Sequence, residues 1–414
     1  MHTGRWSLLF VPGAARFFAA AVVARLGVAM TGLAILWAVQ ATSGSLALGG
    51  AGTGAFAIAE ASVGPQVARL IDRWGQRRVV PVTGTAFVGS GAALIAVCGG
   101  ASPASPVGSY PAWSVVVLAA AAGATVPPVG ALSAARWRHV LASCSSRLPA
   151  ALALEGAAND TAFLLGPVLV TTLGTGVVAG AGLALAVLLV GGGVAGLLTA
   201  TATEPPPGGP ARGLLVDRRL LHRRFAALFA ANLAMGLFFG GIGVAITAFA
   251  LAHDAGALAG PIMAAAGVVS LAAGLVYAAA ATRCSNSRPA PVMLTAALVI
   301  TAGCAALART PGVPVMFLGY SLVGGCVALV LIPGAVLVAA VTDRAVYTQA
   351  LTWINSASAL GIAVAAPAVG WCTGRFGWSH GFLLLAGCTA LLPLTLLLAY
   401  PLLRDVRIGG RGSS

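Results

Sequence analysis

Apolar residues in this chain run in long, nearly unbroken stretches. They show neither the alternation of a half-buried strand nor the three-to-four spacing of a surface helix. Twelve stretches approach or exceed the roughly 20 residues that cross a bilayer as a helix. They are Phe17–Gln40, Leu46–Ile71, Val79–Gly99, Ala112–Ala135, Leu148–Leu173, Gly176–Thr201, Phe225–Leu251, Leu258–Ala281, Val292–Leu307, Val315–Val341, Thr348–Cys372 and Phe382–Leu403. Between the sixth and seventh lies ATEPPPGGPARGLLVDRRLLHRR, Ala202–Arg224, rich first in proline and then in arginine and too polar to span. The pattern predicts an all-α polytopic membrane protein with twelve transmembrane helices in two pseudo-symmetric six-helix bundles. Residues 1–202 form the first bundle, 203–224 a cytoplasmic linker, and 225–414 the second bundle with a short tail.

Composition agrees. Only 8% of the 414 residues are charged and 59% are hydrophobic, against about 25% charged in a soluble domain. Too little polar surface is present to cover a core in water. The net charge is +14 and every basic side chain is arginine. Such a surplus suits nucleic acid or a membrane surface, and position decides between them. With the N-terminus inside, twenty of the 23 arginines fall in cytoplasmic loops and tails. Arg309 and Arg375 fall outside, and Arg25 lies within the first span. This is the positive-inside bias. It predicts cytoplasmic termini and a multi-pass membrane protein, its surroundings lipid and not nucleic acid. The first stretch is too long for a cleaved leader and lacks a small-residue cleavage pattern. The seven cysteines and five histidines have no ligand spacing, so no metal or cofactor is expected.

Four charges sit inside spans, where insertion costs roughly 2.5–3.5 kcal/mol each at the midplane. Arg25 lies in the first, Glu60 in the second, and Glu155 and Asp160 in the fifth. Five residues place Glu155 and Asp160 about 140° apart around a helix, facing different neighbours. Arg25 is expected to form a structural ion pair with Glu155 or Asp160; a partnership with Glu60 is the other option. One arginine does not neutralise three acids. A remaining carboxylate must be protonated or face water, which is the arrangement of a proton relay. Glu60 is the first candidate carrier and Asp160 the second, with Glu155 and Arg25 completing the proton-coupling set.

The loop after the second stretch reads ARLIDRWGQRR, Ala68–Arg78. It resembles the G-x-L-x-D-R-x-G-R-[KR] loop of the major facilitator superfamily and occupies the same place, between the second and third of twelve helices. Leu70, Asp72, Arg73, Gly75 and Arg77 match; Ala68 and Gln76 depart. The resemblance covers nearly the whole chain. It implies transport by alternating access, with Asp72, Arg73, Gly75 and Arg77 as a conformational latch on the cytoplasmic side and Arg78 setting topology. In physical terms, Gly75 permits a tight turn, and Asp72 can cap a neighbouring helix or pair with an arginine. Internal similarity is faint: RFFAAAVVAR at Arg16 echoes RFAALFAANL at Arg224. ALEGAANDTAFLLG also aligns with ALTWINSASALG when Gly166 is set on Gly361, with Asp160 on Asn355.

FLLGPVLVTTLG, Phe163–Gly174, partly resembles the G-x-x-x-G-P-x-x-G-G motif of the drug/proton antiporters in that superfamily. The arginine those proteins carry in the fourth helix is missing from Ala112–Ala135, where VPPVG stands instead. RLGVAM, TQALTW and GPVLV resemble actinobacterial drug and metabolite efflux proteins, which implies a bacterial plasma membrane. In those relatives an acid is expected at the position of Gln349. The resemblance implies an antiporter that exports a small amphipathic drug or secondary metabolite, a drug-resistance activity, coupled to protons. The expected cavity lining is Trp37, Phe238, Phe239, Trp353 and Asn355, and the expected state a monomer. The alternative is uptake or facilitated diffusion of a sugar or other small metabolite, against which the few amides in the spans weigh mildly. An enzyme would need a cluster of catalytic side chains at one interface, and none stands out.

Overall fold

The computed structural model describes residues 11–99, 111–143, 148–176, 180–206, 220, 222–283, 289–342 and 347–404. Among them there is no strand; 91% is helical. The chain divides into two compact units. One comprises Met1–Gly44 with Ala55–Arg212, the other Ser45–Gly54 with Gly213–Ser414.

The first unit is built from α1 (Ala14–Ser43), the greater part of α2 (Leu46–Trp74), α3 (Gln76–Gly99), α4 (Ala112–Thr125), α5 (Val129–Val140), α6 (Leu148–Gly176) and α7 (Ala181–Thr199). Glycines set its helix crossings. A Cβ on Gly27 of α1 would lie 2.6 Å from the Ala186 carbonyl of α7, and one on Gly193 of α7 would lie 2.6 Å from the Ala20 carbonyl of α1. Gly123 of α4 abuts the Phe56 carbonyl of α2, where a Cβ would stand 2.1 Å away. Without a hydrophobic drive between helices in lipid, such close backbone approach supplies the association.

The second unit holds α8 (Arg223–Ala252), α9 (Ala259–Arg283), α10 (Pro289–Leu307), α11 (Val313–Val341), α12 (Tyr347–Phe376), α13 (Trp378–Thr389) and α14 (Leu391–Leu403). It follows the same rule. Gly236 and Gly240 of α8 meet the backbone of Ser358 and Ile362 on α12, and Gly361 meets Leu233 and Leu237 in return. The start of α2 belongs here too: Gly50 and Gly54 lie against the Ala366 and Ala363 carbonyls of α12. Residues such as Leu188 (70% exposed) and Leu398 (74% exposed) leave an apolar exterior suited to lipid.

Eleven helical stretches among the described residues are long and apolar enough to cross a membrane. The remaining long helix is α6, twenty-nine residues, in the place of the expected fifth span. Several boundaries move: the sixth span starts at Ala181 and not Gly176, and the twelfth starts at Trp378 and is two helices, α13 and α14. The third helix starts at Gln76 and not Val79, because Gly75, at φ 85°, lets the chain turn within one residue. The fourth span is two helices, α4 and α5, and runs to Val140 and not Ala135. Single prolines, such as Pro65 and Pro167, leave their helices continuous. The adjacent Pro127 and Pro128 remove two successive donors and break the span.

Candidate functional site

A group of buried polar side chains of the first unit is joined by hydrogen bonds between α1, α3, α5, α6 and the segment after α7. Arg25 of α1 and Glu155 of α6 are each only 7% exposed and form an ion pair. The other carboxylate oxygen of Glu155 accepts hydrogen bonds from the Ser133 hydroxyl and, at 2.7 Å, from the Trp137 indole N–H, both on α5. Phe17 meets the Trp137 ring edge-on at 4.9 Å. Both oxygens of Glu155 are therefore engaged, as a buried charge requires. Of the two partners expected for Arg25 within the fifth span, the structure shows Glu155. The side chain of Asp160 lies outside the described residues.

One turn away from Ser133 is a second buried cation. Arg136, 2% exposed, donates from Nε to the Gln76 amide oxygen at 2.8 Å. Its terminal nitrogen donates to the Ala200 carbonyl at 2.6 Å and to the Thr203 hydroxyl at 3.1 Å. The backbone N–H of Arg77, in the first turn of α3, donates to the Glu204 carboxylate at 2.9 Å. An acid at a helix N-terminus is favourable because the orphan N–H groups and the helix dipole both attract it. The start of α3, the second half of α5 and the segment after α7 are thus tied together by Gln76, Arg136, Thr203 and Glu204.

The expected latch residues occupy this corner. Gly75 makes the turn, and its N–H closes α2 onto the Ile71 carbonyl at 2.8 Å. Arg73, Arg77 and Arg78 are exposed, with the Arg73 guanidinium 6.0 Å from the Trp74 ring centre. The Asp72 side chain lies outside the described residues. Gln76, a departure from the motif, is buried and holds Arg136.

Sequence reading missed Arg136, Ser133, Trp137 and Glu204. Ending the fourth span at Ala135 turned Arg136 into a topology-setting loop residue. The signal was present: Val129, Leu132, Ser133, Arg136 and Trp137 keep helical spacing past the proline pair, and all five are buried.

Glu60 stands apart. It is half-buried in α2, and among the described residues it has no hydrogen-bond or ion-pair partner. Arg25 is not its counter-ion.

The expected cavity-lining residues divide by burial. Trp37 (5% exposed) packs inside the first unit against Gly174, and Phe238 (1% exposed) is buried in the second. Phe239, 38% exposed, meets Phe238 edge-on at 5.7 Å. Asn355 is exposed and Trp353 half-buried. The Gln349 side chain lies outside the described residues.

Many solved structures share the fold, among them three transporters. The nucleoside transporter NupG superposes with a TM-score of 0.71 at 15% identity, covering 94% of this chain and 99% of that one. A bacterial homologue of the human lysosomal transporter Spinster gives 0.74 at 11% identity, covering 97% and 99%. The human organic anion transporter MFSD10 gives 0.62 at 16% identity, covering 92% and 99%. No curated protein matches the chain in sequence. Buried charge held inside an all-helical membrane unit, a glycine corner between the second and third spans, and a match to the model of the Major Facilitator Superfamily over residues 17–310 lead to one conclusion: the chain belongs to that superfamily and is a membrane transporter, not an enzyme.

Proposed function

We propose that this transporter is a proton-coupled exporter of small amphipathic organic compounds, drugs or secondary metabolites, working by alternating access. It acts as a monomer in a bacterial plasma membrane with both termini cytoplasmic. Residues 1–202 and 225–414 serve as the two moving halves, joined by the 203–224 linker. Asp72, Arg73, Gly75 and Arg77 act as the cytoplasmic latch. Trp37, Phe238, Phe239, Trp353 and Asn355 are the residues assigned to substrate binding.

The observation that carries the coupling is the contrast between two carboxylates. Glu155 has donors on both oxygens, so a proton has no vacant place there. Glu60 has none, and a lone intramembrane carboxylate is costly unless it exchanges protons or ions. Glu60 is the carrier in this reading. Arg25 and Glu155 hold the helices around it, and Asp160 is the second candidate.

Flux through proteoliposomes under an imposed pH gradient tests this, with a panel of amphipathic compounds, sugars and nucleosides. Export of amphipathic compounds is expected in the wild type. Glu60→Gln keeps size and hydrogen bonding but does not titrate. It is expected to abolish gradient-driven export while downhill exchange persists. Gradient-driven export by Glu60→Gln at the wild-type rate overturns the assignment, and loss in Asp160→Asn alone moves the carrier to α6. Flux of sugars or nucleosides alone points to uptake or facilitated diffusion.

A further inference from the structure

The break between α4 and α5 leaves backbone carbonyls open inside a membrane span. Pro127 and Pro128 have no N–H, and the Val129 N–H turns to the Pro127 carbonyl at 2.8 Å. The Val126 N–H goes to Gly123. Among the described residues, no donor reaches the carbonyl of Ala124 or Thr125. Open carbonyls in a span are costly unless protein, water or an ion meets them. The second unit shows how this chain meets one with protein. Pro393 leaves the Thr389 carbonyl without its helical donor, and the Thr301 hydroxyl supplies one at 3.1 Å. No such hydroxyl serves Ala124 or Thr125.

Glu60 lies at the same level. Gly123 abuts the Phe56 carbonyl, and in an α-helix that carbonyl bonds to the amide four residues on, which is Glu60. The second and fourth spans run the same way through alternating helices. The turn after Phe56 therefore runs beside the segment after Gly123. The C-terminal end of α4 adds the negative pole of a helix dipole. Among the described residues of α4 and α5, and at Arg25, no charge competes. α4 carries no ionisable side chain. Arg25, beside Gly130, is taken by Glu155. The first ionisable group on α5 is Arg136, held by Gln76, Ala200 and Thr203.

We propose that the Glu60 carboxylate and the open carbonyls of Ala124 and Thr125 form one all-oxygen site for a small monovalent cation, a proton or sodium, and that this is the coupling ion. The inference rests on Glu60 as the carrier and adds the proline break as its second half. A protonated Glu60 donates to a carbonyl; a sodium ion takes both kinds of oxygen. In either form the ion ties α2 to the α4 terminus, and its departure frees them.

The test uses the purified full chain. Its apparent unfolding midpoint is measured in sodium chloride against choline chloride at constant ionic strength, at several pH values. A ligand that binds the native state raises the midpoint by mass action. A saturable upward shift is expected, with sodium or with falling pH, and it is expected to vanish in Glu60→Gln. Pro128→Ala restores the amide that reaches the Ala124 carbonyl and is expected to weaken the shift at least several-fold; Pro127→Ala together with Pro128→Ala, which lets the helix run on so that the Val129 amide reaches the Thr125 carbonyl as well, is the second variant. The midpoint of each variant in choline chloride reports whether it folds. A sodium-dependent shift names sodium and a pH-dependent shift alone names the proton. A shift that needs Glu60 but ignores both proline variants overturns the two-part site while leaving Glu60 as the carrier. No Glu60-dependent response to either cation overturns both.

Discussion

The backbone N–H of Arg77 and the carboxylate of Glu204 meet at 2.9 Å across 127 residues of sequence. One belongs to the turn that begins α3, the other to the segment that follows α7. The acid fills the place of a helix cap from a distance. Glu204→Ala leaves the N–H to water and removes a negative charge from the helix start. A loss of about 1 kcal/mol or less is expected, read as a lower unfolding midpoint in detergent. Glu204→Gln, which keeps an acceptor oxygen, loses less. Equal loss in both variants would mean that the hydrogen bond contributes nothing.

Gln76 accepts from Arg136 within a buried pocket. Restoring the motif's arginine by Gln76→Arg places a second guanidinium against the first and removes its acceptor. An unsatisfied buried donor costs about 1–3 kcal/mol, more when charged. Gln76→Arg should therefore destabilise the protein and lower its yield in membranes, although it improves the match to the motif. Gln76→Glu supplies a carboxylate instead and is expected to fold as the wild type does. The comparison of the two yields is the measurement.

Arg25→Met leaves Glu155 charged, buried and short of its cation. Breaking a buried pair from one side costs about 3–5 kcal/mol. Replacing both, Arg25→Met with Glu155→Leu, removes the charge altogether. The double variant is expected to be more stable than Arg25→Met, even though Ser133 and Trp137 lose an acceptor. A double-mutant cycle on the unfolding midpoints gives the coupling directly; additive losses would remove the pair from the fold's energetics.

Gly123 and Gly64 form a matched contrast. A Cβ at Gly123 would stand 2.1 Å from the Phe56 carbonyl, whereas at Gly64 nothing lies within 4 Å. Gly123→Ala must push α4 off α2 and is expected to cost both stability and flux. Gly64→Ala gains helix propensity, on the order of 1 kcal/mol, and should be neutral or better. Flux and midpoint together separate the two.

The spans were legible because lipid forces apolar runs, and most expected helices stand within a few residues of their places. The glycine corner was legible for a similar reason, since the turn at Gly75 needs φ 85°. The polar network was not. Glu155 lies 130 residues from Arg25, and spacing along one helix says nothing about which of two acids a distant arginine meets. Gln76 looked like a flaw in a charged motif, and its value depends on Arg136, sixty residues on. Burial likewise separated Trp37 and Phe238 from Phe239, although all three are equally aromatic in sequence.

The two units repeat one helix crossing with different contents. Gly166 of α6 packs on Ala29 and Met30 of α1, and Gly361 of α12 packs on Leu233 and Leu237 of α8. With Arg16 set on Arg224, Ala29 falls on Leu237 and Arg25 on Leu233. Counting back along the helix from Gly361 sets Ala350 where the first unit has Glu155. The same architectural joint is charged in one copy and greasy in the other, and tolerance to mutation must be lopsided. At Leu233 and Ala350 many apolar residues of suitable size serve. At Arg25 and Glu155 a change in either residue strands the other, so drift there must proceed in pairs while the second copy wanders freely.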